Sequence, residues 1–523
     1  MRKLLNLSFL CFIVVIHCYA QQKPNIIFIL ADDMGYGDVS CLNKNSKILT
    51  PNIDKLAAQG KIFTDAHSAS AVCTPTRYGI LTGRYPWRSK LKAGVLGLYD
   101  PPLIEKDRLT VGQLLKGKGY STACIGKWHL GWDWPLKNGA MFKDSLYKGH
   151  NSEEVRWKLE KEIDFTAQIQ NGPISKGFDY YFGTDVPNYP PYCFIENNKL
   201  VKQPDTIKPA DMYGHPGKMI TGWQLENILP DLTQRAIAYI QDKSKDKQPF
   251  FLYMPLTSPH SPIAPTDKFK GTSKAGLYGD FVQQTDFTIG QIIKAVEEAG
   301  IGENTIVFFA SDNGSPATDG TGMYGKLNSV QNYGHYPNAD FRGMKADIWE
   351  GGHHIPFIVK WPGKVKENTS TNQTVCLNDF MATIADLVKT TIPENAGEDS
   401  YSLLPLLLNT EKKNFTRNYT IHLSSGGYFA IRSGKWKLIM GAGSGGWTSP
   451  IQGKVDLGLP EVQLYDLSKD REEKHNLNSR FPEKVKELKD LLISCINNGR
   501  STSGTNQQND GQFLESTLKW LNK

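Results

Sequence analysis

The sequence predicts an α/β fold, a large mostly parallel sheet flanked by helices, with a smaller C-terminal α+β subdomain. Two observations predict the large part. Four apolar, β-rich runs each end in a polar cluster, the pattern of buried parallel strands that deliver side chains to a site at their C-terminal ends. Between them lie stretches with apolar residues three and four apart, the spacing of one helix face. The small part rests on a change after Pro405, where short alternating segments give way to one helical stretch.

In chain order, Arg2 and Lys3 precede an apolar run from Phe9 to Ile16 and then His17-Cys18-Tyr19-Ala20. The run is too short to span a bilayer and Ala20 suits cleavage, so residues 1–20 read as a signal peptide and the chain as exported, periplasmic or secreted. No later segment has the ~18 consecutive apolar residues of a spanning helix, so no stable membrane insertion is expected. Asn25 to Leu30 is the first strand and leads into Ala31-Asp32-Asp33. Thr110 to Gly119 reads as helix, and Ser121 to Ile125 as the next strand, leading into Gly126-Lys127-Trp128-His129. The stretch from Trp132 to Gln224, rich in Tyr, Pro, Gly and Asn, is either surface loop or the wall of a substrate pocket.

Helical stretches at Asp231–Gln241 and Phe281–Ala299 enclose the strand Pro249–Met254, which leads into Ser258-Pro259-His260. Thr305 to Ala310 leads into Ser311-Asp312-Asn313-Gly314. These elements make a catalytic domain over residues 21–410. The subdomain, residues 411–523, has strands at 428–432, 435–440 and 462–465 and a helix at 482–493. Its Asn, Gln, Ser and Gly rich stretch at 497–511 reads as a mobile loop.

A net charge of +7 over 523 residues is a mild excess, spread without the basic stripe and aromatic platforms of a nucleic-acid surface, so no nucleic acid is expected as partner. Of eight cysteines, two fall in the leader; Cys41, Cys73, Cys124, Cys193, Cys376 and Cys495 remain. None forms a CxxC pair, which removes zinc knuckles and thioredoxin-like sites, while export leaves one or two disulfides possible.

The most specific segment is Cys73-Thr74-Pro75-Thr76-Arg77, followed by Tyr78-Gly79-Ile80-Leu81-Thr82-Gly83-Arg84. Pro75 suits a first helical turn and Arg77 shares the face of Cys73, so the segment reads as a helix start suited to a tetrahedral oxyanion. On its own this cysteine is a structural thiol or a thiolate nucleophile. Asp32-Asp33 and Asp312-Asn313 are ordinary turn sequences singly. Together they offer hard oxygen donors at two strand ends, which suits Ca²⁺ over zinc. Lys127 and His129 alternate along an extended segment and so point to one side.

These residues resemble the type I, formylglycine-dependent sulfatase family, whose signature is Cys-x-Pro-x-Arg with a trailing Thr-Gly-Arg. The resemblance runs from the opening strand to Gly434-Lys435-Trp436-Lys437-Leu438 and Leu464-Tyr465-Asp466-Leu467. It implies an alkaline-phosphatase-like sulfatase fold and conversion of Cys73 to formylglycine by a formylglycine-generating maturation enzyme. It further implies one Ca²⁺ held by Asp32, Asp33, Asp312, Asn313 and residue 73. Arg77, Lys127, His129, His260 and Lys345 would be catalytic: Lys127 and Lys345 on the sulfate, His129 on the hydrated aldehyde, His260 as acid toward the leaving oxygen. One hydroxyl of the hydrate would take the sulfuryl group, with Asp312 as base, and loss of a proton from the second would release inorganic sulfate.

The implied function is hydrolysis of sulfate esters on a sulfated polysaccharide or oligosaccharide. The segments 94–107 and 177–183 look like bacterial glycan sulfatases and the arylsulfatase A and N-acetylgalactosamine-6-sulfatase group. His215 and His353 are candidate sugar contacts, and Trp134, Tyr180, Tyr181, Tyr189, Tyr192 and Trp223 offer aromatic faces to sugar rings. Two rivals stay open. A phosphatase or phosphodiesterase of the same superfamily would need a second, histidine-rich metal position that is not evident, and a non-catalytic glycan-binding protein would keep the pocket without the chemistry.

Overall fold

A computed structural model describes residues 23–142, 153–409, 415, 417–451 and 458–513. The expected signal peptide lies outside the described residues. The strands of the main sheet are β1 (Asn25–Asp32), β2 (Lys61–Phe63), β3 (Ser121–Lys127), β4 (Tyr180–Thr184), β5 (Ile195–Glu196), β6 (Lys199–Leu200), β7 (Phe250–Pro259), β8 (Thr305–Ser311), β9 (Phe357–Lys360) and β10 (Thr369–Thr371). They run in the order β10-β2-β9-β8-β1-β7-β3-β4-β5-β6. The middle five, β8-β1-β7-β3-β4, are mutually parallel, and β9 and β5 join them antiparallel on either side. The four predicted strands are therefore adjacent at the centre. The segment left irregular by its composition adds β4, β5 and β6 to one edge.

Period-two alternation explains why such apolar strands are buried on both faces. Along β1, Ile26, Phe28 and Leu30 enter one core and Ile27, Ile29 and Ala31 the other; β8 divides Ile306, Phe308 and Ala310 from Val307 and Phe309 in the same way. Helices α1 (Cys73–Thr82) and α2 (Val111–Gly117) cover the first face, with Tyr78, Leu81, Val111 and Leu115 in its core. Thr110 caps α2, its hydroxyl accepting from the Gln113 N–H while the Gln113 side chain takes the Thr110 N–H, two donors satisfied reciprocally. Helices α3 (Ile228–Lys243) and α4 (Gly276–Glu298) cover the second face. In α3, Ile228, Leu232, Ala236 and Ile240 form one stripe at four-residue spacing.

A four-stranded antiparallel sheet follows: β11 (Thr420–Leu423), β12 (Phe429–Ser433), β13 (Trp436–Ile439) and β14 (Gln463–Asp466), covered by α5 (Pro482–Asn498). Its core shares Leu488 and Leu492 of α5 with Ala69, Tyr85 and Trp87 from the region around α1, so the small sheet packs directly against the segments that flank α1. The stretch expected to be a mobile loop is tied down instead. Gln508 and Asn509 accept from the guanidinium groups of Arg84 and Arg88 at 2.6 and 2.9 Å, and Asp510 pairs with Arg84. Its composition lacks apolar anchors, but its polar groups complete the partner sets of two buried arginines, Arg84, which also pairs with Glu398, and Arg88, which also bonds Asp399. Among the described residues all six cysteines are unpaired, so the anticipated disulfides are absent there.

Candidate active site

The parallel strands end on one side of the sheet, and the chain turns there with the polar clusters. Asp32 closes β1, Lys127 closes β3, His260 follows β7, and Asp312 and Asn313 follow β8. Cys73 opens α1, whose ten residues are all buried and whose end is set by Gly83 in the left-handed region, at φ 65°.

The side chains converge. One ligand atom each of Asp32, Asp33, Cys73 and His260 lies within 4.8 Å of the others. Lys127 Nζ donates to Asp32 Oδ2 and Lys345 Nζ to Asp33 Oδ2, both at 2.7 Å. Arg77 Nη2 donates to Asp312 Oδ2 at 2.8 Å and lies 3.4 Å from Asp32 Oδ1, while its Nη1 donates to the Lys127 carbonyl at 3.0 Å. Asn313 Nδ2 donates to Asp33 Oδ1 at 2.7 Å, and His260 Nε2 stands 3.8 Å from Asp33 Oδ2. Every expected catalytic and metal residue is thus within this one network except His129. That histidine joins it through its backbone, whose carbonyl accepts from Thr74 Oγ1 at 3.0 Å.

Burial sets the electrostatics. It pushes the Cys73 thiol up to about 12 against the pull of Lys127 and Lys345, so the encoded residue carries no thiolate at neutral pH. Burial also raises the Asp312 carboxyl to about 7, with the Asp32 charge adding to it. In Asp32 burial is outweighed by Lys127, His260 and Arg77, which hold the carboxyl well below the usual range. Burial, Lys345 and Lys127 lower His260 to about 4. His129 is likewise held well below its ordinary value by burial and Lys127. Its Nε2 bonds the Leu96 carbonyl at 3.0 Å, which fixes the proton there and leaves buried Nδ1 as an acceptor without a partner among the described residues.

The donor set fits a hard cation. Three carboxylates and a carboxamide supply oxygen, and two buried oxygens, Asp32 Oδ1 and Asn313 Oδ1, accept no hydrogen bond among the described residues.

His215 lines a cleft of about 220 Å³ with Tyr99, Arg156, Trp157 and Glu160, and packs edge-on to Tyr189, which packs edge-on to His129. His353 is a correction. It is fully buried, stacked 4.0 Å from His422 and bonded to His67 and Lys437, so it faces the joint between the two sheets and not the pocket. Its position after Gly351-Gly352, near Lys345 in sequence, suggested reach; the short helical turn at 350–353 directs it inward. Of the candidate aromatic faces, Trp134, Tyr181 and Tyr192 are core, and Tyr180 stacks on Tyr239 beside the start of β3, away from the site. Sequence reasoning missed Asp185, half-buried, whose Oδ1 accepts from the His129 N–H at 3.1 Å and Trp132 Nε1 at 3.2 Å. No local pattern marks it.

The family profile described as Sulfatase matches residues 24–390, and one described as the C-terminal part of N-sulphoglucosamine sulphohydrolase matches residues 343–498. An N-acetylgalactosamine-6-O-sulfatase of Bacteroides thetaiotaomicron is 36% identical over 510 residues, spanning 91% of this chain and 93% of that protein. The mouse N-acetylgalactosamine-6-sulfatase is 30% identical over 83% of this chain and 75% of its own length. A solved 6S-sulf structure from glycosaminoglycan metabolism in B. thetaiotaomicron superposes with a TM-score of 0.75 at 34% identity, covering 90% of this chain and 99% of that one.

Proposed function

Because the chain belongs to the sulfatase family, we propose that this enzyme removes sulfate from a sulfated glycan, with 6-sulfated N-acetylgalactosamine the first substrate to try. The observation that carries the reading is the meeting of Cys73, Asp32, Asp33 and His260 within 4.8 Å, flanked by Lys127 and Lys345. The substrate suggestion comes from the bacterial relative, an N-acetylgalactosamine-6-O-sulfatase similar over nearly its whole length. In this reading Cys73 is matured to formylglycine by a dedicated enzyme, and the first twenty residues export the chain.

Asp32, Asp33, Asp312, Asn313 and residue 73 would hold one Ca²⁺, which when bound supplies a Lewis acid for a sulfate oxygen. Matured residue 73 supplies, on hydration, one hydroxyl to take the sulfuryl group and a second to let it go. The remaining work belongs to encoded side chains. Lys127 and Lys345 place two ammonium groups at the carboxylate cluster, where they offset charge on the sulfate oxygens as the ester bond breaks. Arg77 holds Asp312 by a hydrogen bond from Nη2 and places the same positive charge 3.4 Å from Asp32 Oδ1. Burial, Lys345 and Lys127 keep His260 neutral at rest, so it serves as acid to the departing sugar oxygen once the negative charge of the bound sulfate ester offsets the two lysines and raises it. His129 Nδ1, the unpartnered acceptor, is placed to receive the proton lost when the second hydroxyl expels sulfate.

The direct test is mass spectrometry of the tryptic peptide Ile62 to Arg77 from protein made with a maturation enzyme, together with sulfate release from an oligosaccharide carrying N-acetylgalactosamine 6-sulfate. An aldehyde at position 73 and catalytic sulfate release are expected. A persistent thiol in fully active protein sinks the reading.

A further inference from the structure

Trp447 lies in the loop between β13 and β14 and is 38% exposed, among the few large side chains the protein leaves uncovered. Its indole face is turned toward the Lys345 ammonium, 5.9 Å from the ring centroid. Lys345 in turn bonds Asp33 in the site. A sulfate ester bound at that ammonium would bring the sugar that bears it alongside the indole, where a C–H group rests ~4 Å from the aromatic face in van der Waals contact, beside the ammonium and not between it and the ring.

The loop is held in place to do this. Buried Asp347, two residues from Lys345, accepts through Oδ1 from the N–H groups of Trp447 and Thr448 at 2.7 and 3.0 Å. Its Oδ2 accepts from the Met344 N–H at 3.0 Å and from the Thr448 hydroxyl. The Ile348 N–H donates to the Ser444 carbonyl at 2.8 Å, closing the same joint from the other side. One carboxylate thereby ties the turn that carries Lys345 to the tryptophan of the small subdomain. Beside it, Thr448 lines a cleft of about 240 Å³ with Asn328, Gln331 and Tyr336, side chains that offer amide and hydroxyl groups. A pyranose has this mixed character, with axial C–H groups on one face and hydroxyls around its edge.

On the reading that the substrate is a sulfated glycan, we propose that Trp447 is the stacking platform for the sulfated sugar ring, contributed by the C-terminal subdomain to the active site. Sugar preference then depends on a residue outside the strand-end cluster, while the sulfate itself is held without it.

Steady-state kinetics on an oligosaccharide carrying N-acetylgalactosamine 6-sulfate, with inorganic sulfate as competing inhibitor, separates these two parts of the site. In Trp447→Ala the KM for the oligosaccharide is expected to rise roughly tenfold, the scale of losing one aromatic contact. The smaller effect falls on kcat, and the inhibition constant of sulfate stays within about twofold, since only the sugar contact is lost. Trp447→Phe, which keeps an aromatic face, should recover most of the loss. An unchanged KM in Trp447→Ala, or a parallel weakening of sulfate inhibition, overturns the platform. Wild-type enzyme that hydrolyses an aryl sulfate but leaves the oligosaccharide intact would instead overturn the glycan reading, and the platform with it.

Discussion

Asp33 and His129 occupy the left-handed backbone region, at φ 70° and 51°, as does Ala346 beside Lys345 at φ 79°. Non-glycine residues in this state cost about 1–3 kcal/mol each and persist only where the surroundings over-determine them. Here the surroundings are the site itself: the Asp33 N–H donates to Asp312 Oδ1 at 3.1 Å and the His129 N–H to Asp185. Two predictions belong to this scale. Cys73→Ser keeps one hydroxyl and lacks the second, so with substrate it should stall as a covalent sulfate ester, visible as a mass increase on the peptide ending at Arg77; steady turnover would contradict the scheme. Arg77→Ala leaves Asp312 and Asp32 buried without their guanidinium partner and should lower unfolding free energy by about 3–5 kcal/mol, measured by denaturant titration. Nearly all the charged site residues were legible, because motifs place them at strand ends or a helix start. Asp185 and Trp447 were not, since each is brought beside the site by a contact that only the fold supplies, with the His129 N–H and with Asp347.

The strands were legible as elements because burial on both faces demands unbroken apolar runs, which few other structures use. The last of the parallel strands, β4, was not, its Tyr and Gly content reading equally as loop. Glycine shows how tightly β3 meets β7. Gly126 sits at φ 140°, and a Cβ there would lie 1.8 Å from the Pro255 carbonyl oxygen. The next residue is Lys127, so this close approach brings β3 to its end at the correct depth. Gly126→Ala should therefore cost about 3 kcal/mol or more and sharply reduce activity, read as a lower melting temperature and a loss of kcat in whatever protein folds. Wild-type stability in that variant would show that the strands have slack.

Across the molecule, the two sheets share structure where composition suggested separate units. Lys437 of β13 donates to Glu350 at 2.9 Å and pairs with Glu473 at 2.9 Å, in the buried joint where His67, His353 and His422 stack. With a common core at Tyr85 and Trp87, a chain ending at residue 410 should be insoluble or lack a cooperative transition, a result that circular dichroism and thermal melting would check. Calcium binding should act on the whole fold too. Chelation with EGTA is expected to lower the melting temperature and abolish activity, and a free Ca²⁺ concentration ~100 times Kd to restore about 2.7 kcal/mol; unchanged melting and activity in EGTA would exclude the ion. The ties between Arg84 and residues 508–510 carry a further consequence, in time. Asp510 follows Arg84 by 426 positions, a delay of roughly 20–85 s at ~5–20 residues per second of synthesis. For that interval the far end of the Cys73 helix has no closing strap, so, on the proposed conversion of Cys73, a modifying enzyme would meet this segment before the protein is sealed, and the length of the chain would set how long it has.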